Sequence, residues 1–313
     1  MATARMAGNL GFTTIVVASA WAVAKIYEAT AGERATVQAS ALSYIFAVAA
    51  GASIVAFFIV LLFYREPAVA ADPSKPRRSI GRILTDMVRV VSNARFALYL
   101  LVMTGFYFLY NQVYNVLPLY VKKVVEPSPA MDLYTAANPF VIVCFQLIIT
   151  STFGKMKPIR SMVAGTVIIA IAMLNNVAPI YAAGGPRAIA ANWLPLGSVF
   201  IILTVGLIAL GELFTSPRMY EYIGALAPKG QEGLFLGYAN LPLALGSLAG
   251  GPAGAFIFND IMARGAATRA DGLLELVPMQ ATLGWTVLMG IGFLSALLMW
   301  LFNRWLERRP VAR

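Results

Sequence analysis

The sequence predicts an all-α integral membrane protein with about eight transmembrane helices. Of its 313 residues, 59% are apolar and only 12% are charged, and the mean hydropathy is +0.74. A soluble domain carries roughly 45–50% apolar and about 25% charged residues. This chain therefore has too little charge to cover a surface in water, and we expect lipid to surround most of it.

Eight apolar segments are long enough to cross about 30 Å of hydrocarbon as helices. They are continuously apolar and do not alternate, which excludes a barrel of strands. The segments are 8–26, 41–64, 96–121, 133–153, 161–183, 193–217, 233–258 and 280–303.

The first segment has two interpretations. Arg5, the apolar run and Ala22-Val23-Ala24 together have the pattern of a secretory signal peptide with its small-residue cleavage site. The length of the run and its polar residues, such as Asn9 and Thr13, favour a packed helix instead.

Loop charges predict the orientation. The chain has 24 Lys and Arg against 14 Asp and Glu, a net charge of +10. In a soluble protein this excess would suggest nucleic acid, but cytoplasmic loops of membrane proteins also collect Lys and Arg. With both termini in the cytoplasm, 17 basic residues lie inside, and the other seven are Lys25, Arg34, Lys122, Lys123, Arg187, Arg264 and Arg269. We therefore expect a multi-pass protein of the cell membrane with both termini cytoplasmic and no nucleic-acid partner.

The segment 65–95 is predicted to be a basic cytoplasmic linker. Three prolines keep its first part irregular. From Ser79 to Val91 the apolar residues recur at the spacing of an amphipathic helix, which we expect on the membrane surface. The linker divides residues 1–64, with two membrane helices, from residues 96–313, with six.

The sequence offers no site for a metal or cofactor. It has no histidine, and its one cysteine, Cys144, lies in an apolar run. An enzyme embedded in the membrane needs a nucleophile and base, a metal cluster or paired acids. We therefore predict neither an enzyme nor a bound cofactor.

Glu212 is the most informative residue. It lies in the run Leu207–Phe214, and apolar character continues to Leu226. If the helix runs from about 195 to 226, the carboxyl lies near its middle, where an ionisable group is costly and usually functional. If the helix ends near 215, Glu212 is an interfacial carboxylate without such a role.

Two further features suggest movement or close packing of helices. Pro217 favours a kink, because it cannot donate to the carbonyl of Leu213. Gly246, Gly250 and Gly254 recur at intervals of four, which lets helix backbones approach closely. Static packing explains both features, and a sliding contact in a transporter is the alternative.

Segment 96–121 is too polar to face lipid throughout. Tyr107, Tyr110, Gln112 and Tyr114 are expected to line a pathway for a polar solute, and Tyr107, Asn111 and Tyr114 share one face by helical spacing. Amide hydrogen bonds between helices are the alternative.

Asn138-Pro139 lies near the start of segment 133–153, and Asn138, like the polar residues of segment 96–121, is expected to line the pathway. The alternative is that Asn138 caps a helix and Pro139 occupies the first turn of that helix.

These motifs resemble the proton-dependent oligopeptide transporters of the major facilitator superfamily. Gly211-Glu212-Leu213-Phe214-Thr215-Ser216-Pro217 is similar to their tenth helix, and the later glycines to their eleventh. Tyr134 to Phe140 and Phe106 to Gln112 are similar to their eighth and seventh helices. The resemblance covers essentially the whole chain as helices five to twelve.

The resemblance implies a six-helix C-terminal bundle and two helices of an incomplete N-terminal bundle. It implies proton-driven symport of di- or tripeptides or similar small polar solutes, with a proton gradient in place of a cofactor. Glu212 matches the carboxylate that binds the amino group of the peptide, and Asn138 and Gln112 match residues that line the cavity. From its expected place within the membrane, we also predict that Glu212 loads and releases the proton.

The chain also departs from this pattern. Helices one to four are missing, so we expect a truncated chain or a separate chain that supplies them. Tyr238 occupies the position of a family tryptophan. A non-transporting assembly protein, or a fragment without independent activity, is the alternative function.

Overall fold

The structure, a computed structural model, describes residues 31–63, 85, 89–191, 194–228 and 230–308. The predicted helix at 8–26 and nearly all of the linker before Arg89 lie outside the described residues. The chain divides into two compact units, Met1–Arg89 and Val90–Arg313.

Most of the described part of the first unit is one long helix, α1, at Ala31–Phe63. It begins ten residues before the predicted segment at 41–64. Within Phe46–Phe63 no residue is buried, and side chains such as Phe57 and Leu62 are exposed. Ser53 donates its hydroxyl hydrogen to the carbonyl of Ala49 at 2.9 Å, which satisfies a polar group that lipid cannot.

The second unit contains six of the seven candidate membrane spans found in the described residues. The predicted count of six after the linker is confirmed, and so is the all-α fold. The helices are α2 Ala94–Tyr110, α3 Val116–Tyr120, α4 Met131–Thr135, α5 Ala137–Phe153, α6 Pro158–Asn175, α7 Ala178–Tyr181, α8 Leu196–Leu226, α9 Glu232–Leu236, α10 Leu241–Phe256 and α11 Pro278–Glu307.

The first span of this unit is interrupted. A 3₁₀ turn at Asn111–Val113 separates α2 from α3, and a π turn at Val121–Val125 follows. The side-chain amides of Asn111, Gln112 and Asn115 each donate to the carbonyl four residues earlier, at 2.8, 2.8 and 2.9 Å. Such bonds compete with the backbone N–H groups for those carbonyls. The three amides therefore explain why the helix breaks at this point.

Two glycines set the distance between α6 and α8. A Cβ on Gly211 would lie 2.6 Å from the carbonyl oxygen of Gly165, and a Cβ on Gly165 would likewise overlap the carbonyl oxygen of Gly211. The two backbones are therefore in direct contact. This contact fixes α8 at the level of the next residue, Glu212.

Two short antiparallel ribbons join helices of the second unit. Strands β1 (Ile189–Ala191) and β2 (Leu194–Pro195) lie before α8, and β3 (Ala267–Thr268) and β4 (Leu274–Glu275) lie before α11. Two spans separate the two connections, so both ribbons lie at the same end of the unit. We call this end the ribbon end.

Candidate functional site

Glu212 lies near the middle of α8, which runs unbroken from Leu196 to Leu226. Sixteen residues precede it in the helix, which is about 24 Å at 1.5 Å per residue. The helix does not end near 215, so the carboxyl is placed at mid-span, and its side chain is half-buried.

Three predicted residues surround this carboxyl. The side-chain amide of Asn138, on α5, donates to Oε2 of Glu212 at 3.5 Å. The side chain of Tyr110, at the end of α2, interacts electrostatically with Glu212, and the side chain of Tyr114 lies beside that of Tyr110. We call Glu212, Asn138, Tyr110 and Tyr114 the Glu212 cluster. Residues from three spans thus converge on one acid, and the three polar side chains around it are neutral.

The backbone of α8 is held on either side of Glu212. Thr215 donates its hydroxyl hydrogen to the carbonyl of Gly211 at 3.0 Å. Ser161, on α6, donates to the carbonyl of Phe214 at 2.7 Å. Pro217 lies inside the helix and has no N–H for the carbonyl of Leu213. The extra hydroxyl donors therefore lie beside the point where the helix loses a backbone bond.

Arg218, directly after Pro217, was missed by the sequence reasoning, which counted it only as a loop charge. It lies within α8, and its guanidinium donates to the carbonyl oxygens of Phe153, at 3.2 Å, and Gly154 at the end of α5. It also pairs with Glu221. A cation at a helix C-terminus satisfies carbonyls that have no intrahelical partner. Arg218 therefore ties α8 to α5 at the end opposite the ribbons.

The expectation that Tyr107, Asn111 and Tyr114 share one face is wrong. Tyr107 and Asn111 are buried, whereas Tyr114 is 62% exposed. The 3₁₀ turn after Tyr110 and the non-helical backbone at Asn115, with φ −115° and ψ −85°, break the helical spacing on which the expectation rested. The hydroxyl of Tyr107 donates to the sulfur of Met219 at 3.5 Å, so it packs against α8.

The structure places Gln112 apart from the cluster. It is fully buried, and its amide donates to the carbonyls of Phe108, at 2.8 Å, and Gly250, at 3.4 Å. A Cβ on Gly254 would lie 2.6 Å from Oε1 of Gln112, and one on Gly246 would lie 2.8 Å from the backbone nitrogen of Phe108. Gln112 and the three glycines therefore join α10 to the first span of the second unit. Gln112 thus makes a hydrogen bond between helices, which was the alternative to a place in the pathway.

Glu126, at the ribbon end, is a second acid that accepts hydrogen bonds from other side chains, and it was not predicted from the sequence. Its Oε1 accepts hydrogen bonds from the hydroxyl of Tyr134 at 2.7 Å and from that of Ser198 at 2.5 Å. Ser198 is 72 residues away from Glu126 in the sequence, and Glu126 precedes a proline in a loop. No local pattern distinguishes it from an ordinary loop acid.

The family of the chain follows from a comparison of its sequence. The family model for the Major Facilitator Superfamily matches residues 1–182, which is more than half of the chain. The chain belongs to the Major Facilitator Superfamily. The superfamily resemblance of the motifs is thereby confirmed, and the protein is of a transporter family and not an enzyme.

Curated relatives are members of the same superfamily. "Multidrug resistance protein MdtH" of Klebsiella pneumoniae (strain 342) is 24% identical over 225 residues, which are 72% of this chain and 47% of that protein. The protein of the same name from Aeromonas hydrophila subsp. hydrophila is 23% identical over 257 residues, or 82% and 55% of the two chains. The chain spans about half the length of the curated relatives it matches.

Solved structures of peptide transporters share the fold. The peptide transporter POT in complex with sulfate matches with a TM-score of 0.53 and 13% identity, over 90% of this chain and 55% of the other. The POT family transporter PepTSo matches with a TM-score of 0.52 and 19% identity, over 96% and 54%. The fold of this superfamily chain is therefore that of about half of such a transporter.

Proposed function

We propose that this superfamily chain forms the proton-carrying part of a symporter for small polar solutes, with di- or tripeptides as the first candidates. Glu212 carries the proton and also binds the cationic amino group of the solute. The convergence of Asn138 and Tyr110 on a mid-span carboxyl supports this proposal most directly.

The energetics of a charge in lipid explain the coupling. An uncompensated carboxylate at mid-membrane costs several kcal/mol. Two neutral polar side chains reduce this cost without removing the negative charge. For symport the proton and the solute must cross together: the proton neutralises the carboxyl on one oxygen, and the other oxygen accepts a hydrogen bond from the amino group of the solute. Because the bare carboxylate is costly at mid-membrane, the protonated site crosses more readily, and the solute moves in the same direction as the proton.

The cluster also offers a surface on which a solute can dock. Tyr114 is 62% exposed, while Asn138 and Glu212 are half-buried. Phenol and amide groups supply directed hydrogen bonds around a charged centre, which is the usual composition of a small-molecule site. The exposed side of the cluster is therefore the side from which we expect the solute to arrive.

Drug export is the second candidate, because the curated relatives carry the name multidrug resistance protein. A cationic drug would occupy the same carboxylate, and a proton entering from the opposite side would displace it. The two candidates use the same carboxyl but differ in its occupancy: proton and solute are bound together in the symporter, whereas one replaces the other in the exporter.

We extend the proposal to the topology. Both termini face the cytoplasm, because this orientation places 17 of the 24 basic residues inside. Residues 65–95 connect helices of the N-terminal bundle, at 1–64, to the C-terminal bundle at 96–313. A preceding segment or a separate chain supplies the four remaining helices of the first bundle.

Transport in proteoliposomes tests the function. The chain is reconstituted alone and joined to the first four helices of a related superfamily transporter, and a pH gradient is imposed. Uptake of labelled dialanine and export of tetraphenylphosphonium are measured for the wild type, for Glu212→Gln, and for Glu307→Gln. Glu307 is a matched control because it is an exposed acid at the end of α11.

We expect Glu212→Gln to reduce gradient-driven movement at least about tenfold, since it removes a transferable proton and a charge-assisted contact. Glu307→Gln should behave as the wild type. Dialanine uptake favours the symporter, and cation export favours the second candidate. If Glu212→Gln moves either solute at the wild-type rate, the role proposed for Glu212 is wrong.

A further inference from the structure

A cavity at the ribbon end lies apart from the Glu212 cluster. It has a volume of about 410 Å³, and its walls include Tyr120, Val124, Arg187, Arg269, Glu275 and Leu276. We call it the ribbon-end cavity. Tyr110 ends α2, whereas Tyr120 ends α3 ten residues further toward the ribbon end, and no residue of the Glu212 cluster lines the cavity.

Two strong donors of this cavity lack a partner. The hydroxyl of Tyr120 and Nη1 of Arg187 are both buried and have no hydrogen-bond partner among the described residues. Tyr120 itself is 1% exposed. Buried donors are almost always paired, so each exception requires an explanation. A phenol hydroxyl and a guanidinium in one cavity both call for an acceptor.

The surroundings hold these donors in place. The ring of Trp285 meets that of Tyr120 edge-on, with centroids 5.2 Å apart. The turn that carries Arg187 contains Gly184 and Gly185 at φ 81° and 70°, values that glycine adopts readily and other residues rarely do. The turn that brings Arg187 to the cavity therefore depends on these two glycines.

The donors of the cavity, rather than its net charge, favour an anion with a single acidic group, since the two arginines stand beside Glu275 and Asp271. Two arginines and one glutamate line the cavity. Arg269 is already paired with Asp271, with 3.4 Å between Nε and Oδ2, and Glu275 is exposed. Arg187 is therefore the cation whose guanidinium has a donor to spare. Arginine binds carboxylate and phosphate oxygens with two parallel hydrogen bonds.

The size and the remaining walls define the rest of the ligand. A volume of about 410 Å³ falls in the range of pockets for small organic molecules, and it is far larger than one water molecule requires. Val124, Leu276 and Ala281 give the cavity apolar walls. An inorganic ion would leave these walls without contact.

We propose that the ribbon-end cavity binds the oxyanion of a small amphipathic molecule. A carboxylate or phosphate group accepts hydrogen bonds from Arg187 and Tyr120, and a short apolar body packs against the other walls. A soluble organic acid and an anionic lipid headgroup share this chemistry. The proposal stands independently of the transport function, because no residue of the Glu212 cluster takes part.

Binding measurements on the purified 313-residue chain test the proposal. Hexanoate and hexyl phosphate are titrated by calorimetry into the chain in neutral detergent. In a second arm, the chain is incubated with vesicles of phosphatidylglycerol or phosphatidylcholine and repurified, and the retained lipid is measured by mass spectrometry. Arg187→Gln, Tyr120→Phe and the control Arg264→Gln are compared. Arg264 is exposed and belongs to the same end of the unit, but it does not line the cavity.

We expect Arg187→Gln to weaken binding of the favoured probe at least about tenfold and Tyr120→Phe about two- to tenfold, which are typical effects of losing a charged and a neutral hydrogen bond. Arg264→Gln should bind as the wild type. A soluble acid as ligand gives a signal in the first arm, and a lipid gives selective retention of phosphatidylglycerol in the second.

A measurement without any probe separates binding from a structural role. Tyr120→Phe removes a buried donor that lacks a partner and adds none, so its melting temperature should equal or exceed that of the wild type. The proposal is overturned if neither arm depends on Arg187, if Arg264→Gln weakens binding as much, or if Tyr120→Phe melts at a lower temperature than the wild type.

Discussion

The Glu212 cluster and the ribbon-end cavity are both polar features of the second unit, but they offer opposite hydrogen-bonding groups and differ in construction. The cluster is an acid that already accepts a hydrogen bond from Asn138 and lies beside Tyr110. The cavity contains a guanidinium and a hydroxyl whose donors lack partners among the described residues. A satisfied acid suits a small cation that comes and goes, such as a proton. Unsatisfied donors suit a larger anion that brings its own acceptors.

The packing behind the two features differs as well. The cluster rests on the direct contact of α6 and α8, where a Cβ on Gly211 would meet the carbonyl of Gly165 at 2.6 Å. The cavity is walled mainly by connections between spans, including the turn at 184–188 and the ribbon of β3 and β4. We therefore expect the geometry of the cluster to depend on the contact between α6 and α8, and the geometry of the cavity to depend on the connections between spans.

The largest effect should come from breaking the helix contact. Gly211→Leu forces a side chain into a backbone that cannot yield, and overpacking of this kind costs about 3 kcal/mol. We expect a lower melting temperature in nanodiscs and loss of gradient-driven uptake. Gly224→Leu is the matched control, because it lies on the same helix and a Cβ there meets nothing within 4 Å. Equal melting temperatures for the two variants would refute the role of the contact.

A smaller effect should come from the cluster itself. Tyr110→Phe removes the hydroxyl beside Glu212 and leaves the ring in place. The loss of a polar contact of the strength of one hydrogen bond predicts a two- to tenfold reduction of gradient-driven uptake, which corresponds to about 0.5–1.5 kcal/mol. Tyr220→Phe removes an exposed hydroxyl on α8, the helix of Glu212, where it bonds Asn240 at 3.5 Å, and should leave uptake unchanged. An equal reduction in both variants would show that the effect is not specific to the cluster.

The smallest effect concerns the ribbon beside the cavity. The backbone N–H of Leu273 donates to Asp271, and this bond, followed by the charge of Arg269, lowers the pKa of Asp271 from 3.8. A lowered carboxyl pKa stabilises the folded state at pH values above 3.8, and this stabilisation is lost as the pH falls through the lowered value.

Asp271→Asn tests that contribution. The variant should melt slightly below the wild type at pH 7, and the difference should vanish as the pH falls below 3.8. Melting temperatures measured across this range give the result. A difference that persists unchanged at the acidic end would mean that the carboxylate charge is not its cause.

The sequence predicted the two features unequally, for a physical reason. A charge within a long apolar run is conspicuous, because lipid makes it costly, so Glu212 could be found without a structure. Its partner Asn138 was found beside a proline, and Tyr110 and Tyr114 within a polar span. The six spans after the linker were found in the same way, from continuous apolar character.

Other parts of the site depend on contacts that are distant in the sequence. Tyr120, Arg187 and Trp285 are separated by 67 or more residues, and no local spacing relates them. The motif around Gln112 predicted that its side chain lines the solute pathway, but the structure buries it in the contact with the glycines of α10. The break after Tyr110 depends on side-chain amides that compete for carbonyls, and helical spacing alone does not reveal it.

The central claim is that Glu212 gains and loses a proton within the membrane. Infrared difference spectroscopy during a pH titration measures this directly in the reconstituted protein, through the carbonyl stretch of a protonated carboxyl group. We expect a band that appears on acidification in the wild type and in Glu307→Gln and is missing in Glu212→Gln. Tyr110→Phe should shift this band, since it removes the hydroxyl that lies beside the carboxyl. An identical set of bands in Glu212→Gln and the wild type would contradict the account.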